Sequence, residues 1–419
     1  MTAQSTRGTR ADLLARARGL DARDPLAGYR GLFVGASDPR VPAYLDGNSL
    51  GRPLQASVER VRELMVHDWG GRLIRGWDEG WLQLPERLGD ELGLVALGAG
   101  AGQCIVADST TVLLYKLARA ALAARPGRRR VVVDRNNFPT DRYVLEGIAA
   151  ECGLELDWLE VPYDGGAEPE SVREVAGPDT ALVVLSHVAY RSGHLADMQA
   201  VTDVVHAAGA LVLWDLCHSV GVVPVELDAW GVDFAVGCSY KYLNGGPGAP
   251  AWAYVRTGHQ QLTQPIQGWI GSRDPFGMEQ GYRPADGIRR FASGTPPIIG
   301  MSAMQDMVEL IARAGIHAIR DKSVALTSYA LEAVDGLLAG TGAVVASPRE
   351  AARRGGHVTI DHPGARMATA RLWEQGVIPD YRNPDGIRLG LSPLSTSFEE
   401  VFRGVAAIAA ELTRDAEGS

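Results

Sequence analysis

The chain has 419 residues, of which 46 % are hydrophobic and 22 % are charged, a composition typical of a folded protein with two or three structural units. Its formal net charge of −9 argues against nucleic acid or an anionic membrane as the main partner. The sequence has no apolar run of about 18 residues to span a membrane, and its start, MTAQSTRGTR, lacks the apolar core of a secretory signal and is interpreted as a loose tail.

From about residue 100 the apolar pattern alternates between helix and strand. Residues 109–124 have helical spacing, with Ser109, Thr110 and Thr111 as cap candidates at their start. The next predicted elements are strands at 129–134 and 181–188, a helix at 197–208, and strands at 210–215, 232–239 and 249–255. Apolar strands separated by helices predict an α/β fold with a mainly parallel central sheet and helices on both faces. Ligands of such sheets bind beyond the carboxyl ends of the strands.

The pattern changes after about residue 300. The predicted elements there are one long helical stretch from Met301 to about Leu338, strands at 357–362 and 386–392, and a helix near 367–376 between the two strands. This succession is typical of a smaller α+β domain.

The sequence therefore predicts a large domain over residues 46–300 and a small C-terminal domain over residues 301–419. Residues 1–45 are expected to pack against the small domain or against a partner chain.

Lysine is scarce, because only Lys116, Lys241 and Lys322 are present among 41 basic residues. Lys241 follows a predicted strand and lies between two tyrosines ahead of a glycine run, and Asp215 ends the preceding predicted strand. Neighbouring parallel strands would bring this acid and this amine to one edge of the sheet. Lys116 and Lys322 lie in helical patterns without such partners and are expected at the surface.

Pyridoxal phosphate (PLP) requires such a pair. A lysine holds its aldehyde as a Schiff base, and a carboxylate keeps its ring nitrogen protonated so that the ring can store electrons. The phosphate group seeks backbone N–H groups at a helix start, which residues 108–112 could provide, although a plain helix cap is the simpler interpretation.

Three further residues are candidates for the same site. In the segment NFPTD, Phe138 could stack on a flat ring and Asp141 could reach its polar substituents, although a turn with a core phenylalanine explains the same pattern. His218 could contact the ring or serve only the core. No HxxxH or HExxH pair indicates a metal site, and the four cysteines lack metal or disulfide spacing, which predicts reduced thiols in the cytoplasm.

Several motifs together resemble those of bacterial kynureninases, in order from about residue 30 to residue 410. The segments that carry the resemblance are YLDGNSLGRP (44–53), NFPTD (137–141), LWDLCHSVGVVPVEL (213–227), YKYLNGGPGAP (240–250), QPIQGWIG (264–271), SGTPPI (293–298) and RGGHVTIDHP (354–363). The resemblance implies the aspartate-aminotransferase-like fold, PLP fold type I. It also implies hydrolysis of the Cβ–Cγ bond of L-kynurenine to anthranilate and L-alanine, within tryptophan catabolism, the kynurenine pathway and NAD biosynthesis.

The resemblance further implies roles for single residues. Lys241 would carry the cofactor and move the Cα proton, Asp215 would pair with the pyridine nitrogen, and Tyr240 is the candidate for shuttling protons. Residues implied to surround the cofactor are Thr110, Thr111, Phe138, Asp141, Ser186, His218, Tyr240, Trp269 and Thr295, the last two from the second subunit of a homodimer with shared active sites. Those implied to bind the small amino-acid substrate are Arg388, at its carboxylate by a two-pronged contact, and Ser49 and Trp77 beside it.

One segment departs from the family pattern, because GWIGS stands where GWFGH is expected. Ile270 replaces an aromatic residue and Ser272 replaces a histidine, and both are expected to face the aryl end of the substrate. The departure therefore leaves the ring substituent of the substrate undetermined, and 3-hydroxylated, methylated or halogenated kynurenines are alternatives. The pathway can be catabolic or a specialised biosynthetic one.

Two other functions remain as hypotheses. A related PLP β-lyase such as a cysteine desulfurase usually needs a cysteine on a mobile loop, and the settings of the four cysteines here do not favour it. A PLP-binding regulator without turnover would normally carry a DNA-binding appendage, for which the chain offers neither spare length nor a basic helix-turn-helix.

Overall fold

The computed structural model describes residues 9–417. Residues 1–8 of the predicted tail lie outside that range. Of its last two residues, Thr9 is the cap of a helix and Arg10 is the first residue of that helix. Thr9 caps this helix, because its hydroxyl accepts a hydrogen bond from the backbone N–H of Asp12 and the Asp12 carboxylate accepts one from the Thr9 backbone.

Two sheets and the helices around them make up the described chain. The helices are α1 (Arg10–Asp21), α2 (Gln55–Glu63), α3 (Leu84–Leu92), α4 (Thr110–Ala123), α5 (Pro139–Cys152), α6 (Pro169–Val175), α7 (Met198–Ala207), α8 (Ile298–Ala314), α9 (Ile316–Leu337), α10 (Ala365–Glu374) and α11 (Phe398–Glu417). The strands are β1 (Ala43–Leu45), β2 (Cys104–Ala107), β3 (Arg130–Asp134), β4 (Glu155–Leu159), β5 (Thr180–Ser186), β6 (Leu211–Asp215), β7 (Phe234–Cys238), β8 (Ala251–Val255), β9 (Val344–Val345), β10 (His357–Asp361), β11 (Val377–Arg382) and β12 (Gly386–Gly390). No helix of the described chain is long and apolar enough to cross a membrane.

The larger sheet has seven strands in the order β2-β8-β7-β6-β5-β3-β4. The strands from β4 to β7 pair in parallel, whereas β8 runs antiparallel to both β7 and β2. The predicted mainly parallel sheet is therefore confirmed, together with its strands at 129–134, 181–188, 210–215, 232–239 and 249–255.

Successive side chains of β6 point to opposite faces of this sheet. Leu211 and Leu213 pack in an apolar cluster with α4 and α5, and Val212 and Trp214 pack in another cluster with α3, α7 and α8. Helices therefore cover both faces, as an α/β fold requires. Asp215, the last residue of β6, lies at the carboxyl end of this central strand.

The smaller sheet has five strands in the order β1-β11-β12-β10-β9. Its first strand, β1, comes from the N-terminal part of the chain and pairs in parallel with β11. Helices α1, α9, α10 and α11 pack on this sheet in one apolar cluster that includes Leu13 and Leu45. The predicted α/β fold with a smaller C-terminal α+β unit is confirmed.

The long helix predicted from Met301 to about Leu338 is two helices. Gly315 adopts φ +81°, a conformation that side-chain-bearing residues rarely take, and it ends α8 before α9 begins. The buried methionines of α8, such as Met304, join the cluster of the large sheet, whereas Leu326 of α9 joins that of the small sheet.

The expected surface position of two lysines is wrong. Lys116 is fully buried, and its Nζ lies 2.5 Å from Oδ2 of Asp108. Lys322 is 5 % exposed and pairs with Asp24 at 2.6 Å. A buried ammonium is costly unless a carboxylate pairs with it, and both partners come from other elements that the helical pattern does not reveal.

Candidate active site

Lys241 lies just beyond the end of β7, in a crowded turn. The backbone N–H of Gly51 donates to the carbonyl of Tyr240 at 2.9 Å, and a Cβ on Gly51 would come within 2.4 Å of the Lys241 carbonyl oxygen. The lysine is 8 % exposed, and its Nζ lies 3.2 Å from Nε2 of His218 and 5.7 Å from the ring centre of Phe138. Lys241 is thus buried at the end of a strand, beside a histidine and an aromatic ring.

Two buried carboxyl groups share this site with the lysine. Asp215 ends β6, the strand next to β7, and its Oδ1 accepts a hydrogen bond from the backbone N–H of Cys217 at 2.7 Å. Asp141, in the first turn of α5, is 1 % exposed. Burial, and then the charge of Asp215, raises the pKa of Asp141 well above its usual value, while Lys241 acts in the opposite direction. Two carboxyl groups thus face a single amine, which suits a further cationic N–H group beside Asp215.

Asn137 fixes the position of Phe138 at the start of α5. Its side-chain oxygen accepts hydrogen bonds from the Ser186 hydroxyl at 2.7 Å and from the Phe138 backbone N–H at 2.8 Å. Its Nδ2 donates to Asp141 Oδ2 at 3.1 Å. The Phe138 ring also meets the Tyr190 ring edge to face, with 5.4 Å between centres. One asparagine thus connects a strand end, an aromatic ring and a buried carboxyl group.

The start of α4 lies beside the same strand ends. Ser109 caps the helix by accepting a hydrogen bond from the Val112 backbone N–H at 3.4 Å. Thr110 is half-buried, with its hydroxyl 4.0 Å from Sγ of Cys217, and Thr111 is exposed. The hydroxyls and N–H groups of this first turn could bind an anion beside Cys217, two residues after Asp215.

A cavity of about 420 Å³ connects this helix start with a second loop. Among its lining residues are Asp108, Ser109, Tyr240, Ser293, Gly294 and Thr295. Burial raises the pKa of Tyr240 beyond its ordinary value, so its phenol keeps its proton at neutral pH.

Arg388, on β12, is buried among several acceptors. Its Nη1 donates to the Tyr190 carbonyl at 2.6 Å, and its Nη2 donates to the Ser49 hydroxyl at 2.7 Å. The same Nη2 forms an ion pair with Asp380 Oδ2 at 2.7 Å. Asp46 lies 3.8 Å from the same Nη2. The structure thus brings Ser49 and Arg388 together as predicted, and it adds two carboxylates that were not predicted from the sequence.

Asn48 and Arg382 complete the surroundings of this guanidinium. With its amide oriented to satisfy both neighbours, Asn48 accepts from Nε of Arg388 at 3.2 Å and donates to Asp46 at 3.2 Å. Nε of Arg382 donates to the same Asp380 oxygen at 2.6 Å, so that one carboxylate connects two arginines.

Four predicted residues have contacts other than Lys241. The ring of Trp77 packs on Trp81 at 5.6 Å, and Trp269 and Ser272 line another cavity, of about 520 Å³. Ile270 is 2 % exposed, packs in the apolar core and also lines the cavity of about 420 Å³ that Tyr240 lines. Among the described residues, no hydrogen bond, ion pair or ring contact joins these four predicted residues to Lys241.

Relatives over nearly the whole chain decide the family. The chain is 41 % identical over 405 residues to the kynureninase of Pseudomonas fluorescens, covering 95 % of this chain and 94 % of the relative. It is 40 % identical over 403 residues to the kynureninase of Burkholderia pseudomallei strain 1106a, with the same coverage. The chain belongs to the kynureninase family. Kynureninases are hydrolases of carbon–carbon bonds with PLP as cofactor, and the predicted family, enzyme class and cofactor are thereby confirmed.

The family model for the kynureninase C-terminal domain also matches, over residues 319–408. Solved structures show the fold at low sequence identity. A C-DES mutant with glycine covalently linked to its PLP cofactor has a TM-score of 0.80 and 18 % identity, covering 91 % of this chain and 98 % of that one. The cysteine desulfurase CsdA of Escherichia coli has a TM-score of 0.79 and 16 % identity, covering 94 % and 98 %.

Several residues of the candidate site were not predicted from the sequence. Asn137 stands inside the quoted motif NFPTD and His357 inside RGGHVTIDHP, and His357 is buried with its ring centre 5.4 Å from that of His218. Asp46 is in the motif YLDGNSLGRP, whereas Asp380 and Arg382 gave no signal beyond their nearness in sequence to Arg388.

Proposed function

We propose that the chain hydrolyses the Cβ–Cγ bond of L-kynurenine or of a ring-substituted kynurenine such as 3-hydroxykynurenine, releasing L-alanine and the corresponding anthranilate. The observation that carries the proposal is the burial of the Lys241 amine against His218, beside the carboxyl groups of Asp141 and Asp215 and the ring of Phe138. PLP, when bound, supplies an electron sink for charge that develops on the amino acid.

We assign the cofactor to the space among these residues. Asp215 would pair with the ring nitrogen, because a buried carboxylate stabilises a protonated pyridine and Lys241 is a single amine beside two carboxyl groups. Phe138 would pack on the ring, and the half-buried Ser186 and the buried Asp141 and His218 would line it. Thr110, Thr111 and Tyr240 would hold the phosphate, together with Trp269 and Thr295 of the second subunit.

Lys241 and Tyr240 are the proposed proton carriers. The pKa of His218 is lowered well below its ordinary value by burial and then by Lys241, so the imidazole is neutral and can accept a hydrogen bond from the lysine amine. An amine held in this way can remove the proton at Cα of the substrate. Tyr240 keeps its proton and can donate it where negative charge develops.

Arg388 is proposed to bind the substrate carboxylate, with Ser49 beside it. Because its N–H groups already contact Tyr190, Ser49 and Asp380, a two-pronged contact needs an exchange of hydrogen bonds on binding. The ion pair with Asp380 supports this role, because it shows a carboxylate bound to the same guanidinium.

The aryl end is assigned to the departing segment and to Trp77. Ile270 and Ser272 are smaller than the phenylalanine and histidine of the family pattern, which supports tolerance of ring substituents. Trp77 and Ser272 make no polar or ring contact with Lys241 in the described chain, whereas Ile270 lines the cavity that Tyr240 also lines. Assigning all three to one site supposes a homodimer with shared sites. Exposed apolar residues near Trp77 support such an interface, and they are Met65, Val66, Trp69, Leu73 and Ile74.

The domain boundary and the cellular location are proposed from two separate observations. We place the start of the small domain at Gly315 rather than at residue 301, because α8 packs with the large sheet and α9 with the small one. A cytoplasmic location is supported by four cysteines that all remain free thiols.

A substrate panel tests the function. Kynurenine, 3-hydroxykynurenine and methylated or halogenated analogues are incubated with the PLP-loaded enzyme, and the release of the fluorescent anthranilate and of alanine is measured. We expect turnover of kynurenine and of at least one ring-substituted analogue. Failure with every aryl-keto amino acid would overturn the proposal.

The alternative of a cysteine desulfurase is tested in the same assay. Cys104, Cys217 and Cys238 are buried, and Cys152 is exposed at the end of α5 rather than on a loop near Lys241. We expect no sulfur release from L-cysteine, and alkylation of Cys152 should leave anthranilate release unchanged.

A further inference from the structure

We propose that Lys116 is a positioning residue for the cofactor phosphate, holding in register two backbone segments, one at the phosphate site of its own chain and one that reaches the phosphate site of the second subunit. The inference rests on the proposed homodimer, in which the start of α4 serves the site of its own chain and the loop that ends at Thr295 serves the site of the second subunit. Lys116 lies within α4 and is fully buried, although the sequence suggested an ordinary surface lysine.

The ammonium of Lys116 has two partners from separate parts of the chain. Nζ lies 2.5 Å from Oδ2 of Asp108 and 2.8 Å from the carbonyl oxygen of Phe291. Burial lowers the pKa of Lys116, whereas the charge and hydrogen bond of Asp108 raise it. A lysine of this kind stays buried only while both partners stay in place, so it fixes their separation.

The first partner controls the start of the helix. Asp108 lies between β2 and the helix cap Ser109, and it adopts φ +45°, which is uncommon for a residue with a side chain. Its carbonyl accepts from the Ala251 backbone N–H at 3.0 Å. The ion pair with Lys116 holds this backbone turn, and the turn aims Ser109 and the threonines that follow.

The second partner controls the opposite wall of the cavity. Phe291 is fully buried and leads into the loop with Ser293 and Thr295. The Ser293 hydroxyl donates a hydrogen bond to the Ile266 carbonyl at 2.8 Å, which fixes this part of the loop. Lys116 thus connects the turn at Asp108 with the segment that leads to Thr295, and both ends line one cavity at the proposed subunit interface.

The test compares two buried lysines. Lys116→Met and Lys322→Met each remove an amine that is paired with one aspartate, but only Lys116 lies behind the phosphate site. Apoenzyme is titrated with PLP and, separately, with pyridoxal, which lacks the phosphate, and the visible absorbance of the bound cofactor gives the apparent Kd. Thermal unfolding of each variant is measured in parallel.

We expect both variants to lower Tm, but only Lys116→Met to raise the apparent Kd for PLP, by at least ~10-fold, with little change for pyridoxal. An equal PLP affinity of the two variants would overturn the inference, as would an equal loss for PLP and pyridoxal. If Lys116→Met does not fold, Asp108→Asn is used, since it keeps the side-chain size and removes the charge. A folded Asp108→Asn with unchanged PLP affinity contradicts the inference.

These measurements do not depend on turnover. Failure of the substrate panel would remove the proposed reaction while leaving the PLP and pyridoxal comparison intact. Failure of the Lys116 comparison would leave the hydrolase assignment in place.

Discussion

Nζ of Lys241 lies 3.2 Å from Nε2 of His218, and both side chains are buried. Two cations at this distance would repel each other strongly, and the pKa of His218 is accordingly lowered by burial and by the lysine charge. The neutral imidazole and the amine therefore form one unit beside Asp215, and this unit is the centre of the proposed chemistry.

Replacing Lys241 should abolish the covalent attachment of the cofactor. We expect Lys241→Ala to lose the absorbance band at about 420 nm that PLP gives when joined to a lysine. Turnover should fall by at least ~10³-fold because the group that moves the Cα proton is gone. Spectra and anthranilate release check both effects, with Lys322→Met as the control that should keep the band. A retained band in Lys241→Ala would contradict the assignment.

Replacing Arg388 should chiefly weaken substrate binding. Arg388→Ala removes the guanidinium and leaves Asp380 and Asp46 in a buried region without that charge, so we expect both a higher KM and a stability loss of about 3–5 kcal/mol. Arg388→Lys keeps the charge but loses the fork, and its KM should rise by ~10-fold or more. Arg366→Lys, at a guanidinium that contacts Asn383 on the exposed side, is the matched control. An unchanged KM in Arg388→Lys would count against the carboxylate role.

The pH dependence of KM should report the ionisation of Asp46. Burial, and then the charge of Asp380, raises the pKa of Asp46 to about 6, against the opposing effect of Arg388. Below pH 6 the carboxyl is neutral, and above it an added negative charge near Arg388 competes with the substrate carboxylate. KM should therefore rise by ~3-fold or more between pH 5 and pH 7.5. The folding stability should also fall over this pH range. The neutral Asp46 carboxyl contributes stability below the unfolded pKa of 3.8, and this contribution is lost as the pH rises through about 6.

Asp46→Asn separates this group from other titrations. The amide cannot ionise, so the rise of KM near pH 6 should disappear, while the change of kcat with pH should persist. A KM profile in Asp46→Asn that still bends near pH 6 would assign the effect to another group.

Restoring the family residues at the aryl end should affect selectivity and packing differently. Ser272 is partly exposed, and Ser272→His should shift the ratio of kcat/KM for 3-hydroxykynurenine over kynurenine by ~3-fold or more, because an imidazole adds a hydrogen-bonding group. Ile270 is packed in the core, so Ile270→Phe should cost about 1–3 kcal/mol from overpacking. The substrate panel and thermal unfolding measure the two effects, and Ser272→Ala controls for loss of the hydroxyl alone. An unchanged ratio in Ser272→His would place this residue away from the ring.

The sequence by itself determined the frame of the site. Alternating apolar strands and helices specify a parallel sheet, and a parallel sheet brings strand ends to one edge, so the pattern alone predicts that Asp215 and Lys241 lie together. The strands β2 and β4 were missed because β2 has only four residues and β4 alternates acidic and apolar residues at the sheet edge. The break at Gly315 was missed because helical spacing continues on both sides of it.

Only the tertiary structure decided the charge balance. The burial of Lys116 depends on Asp108 and on a carbonyl 175 positions away, and the surroundings of Arg388 depend on residues from three separate segments. The free energy of a buried charge is set by its neighbours in space, and periodicity along the chain carries no record of them. For this reason the sequence predicted which residues meet at the strand ends, and the folded chain decided which of its charges are paired.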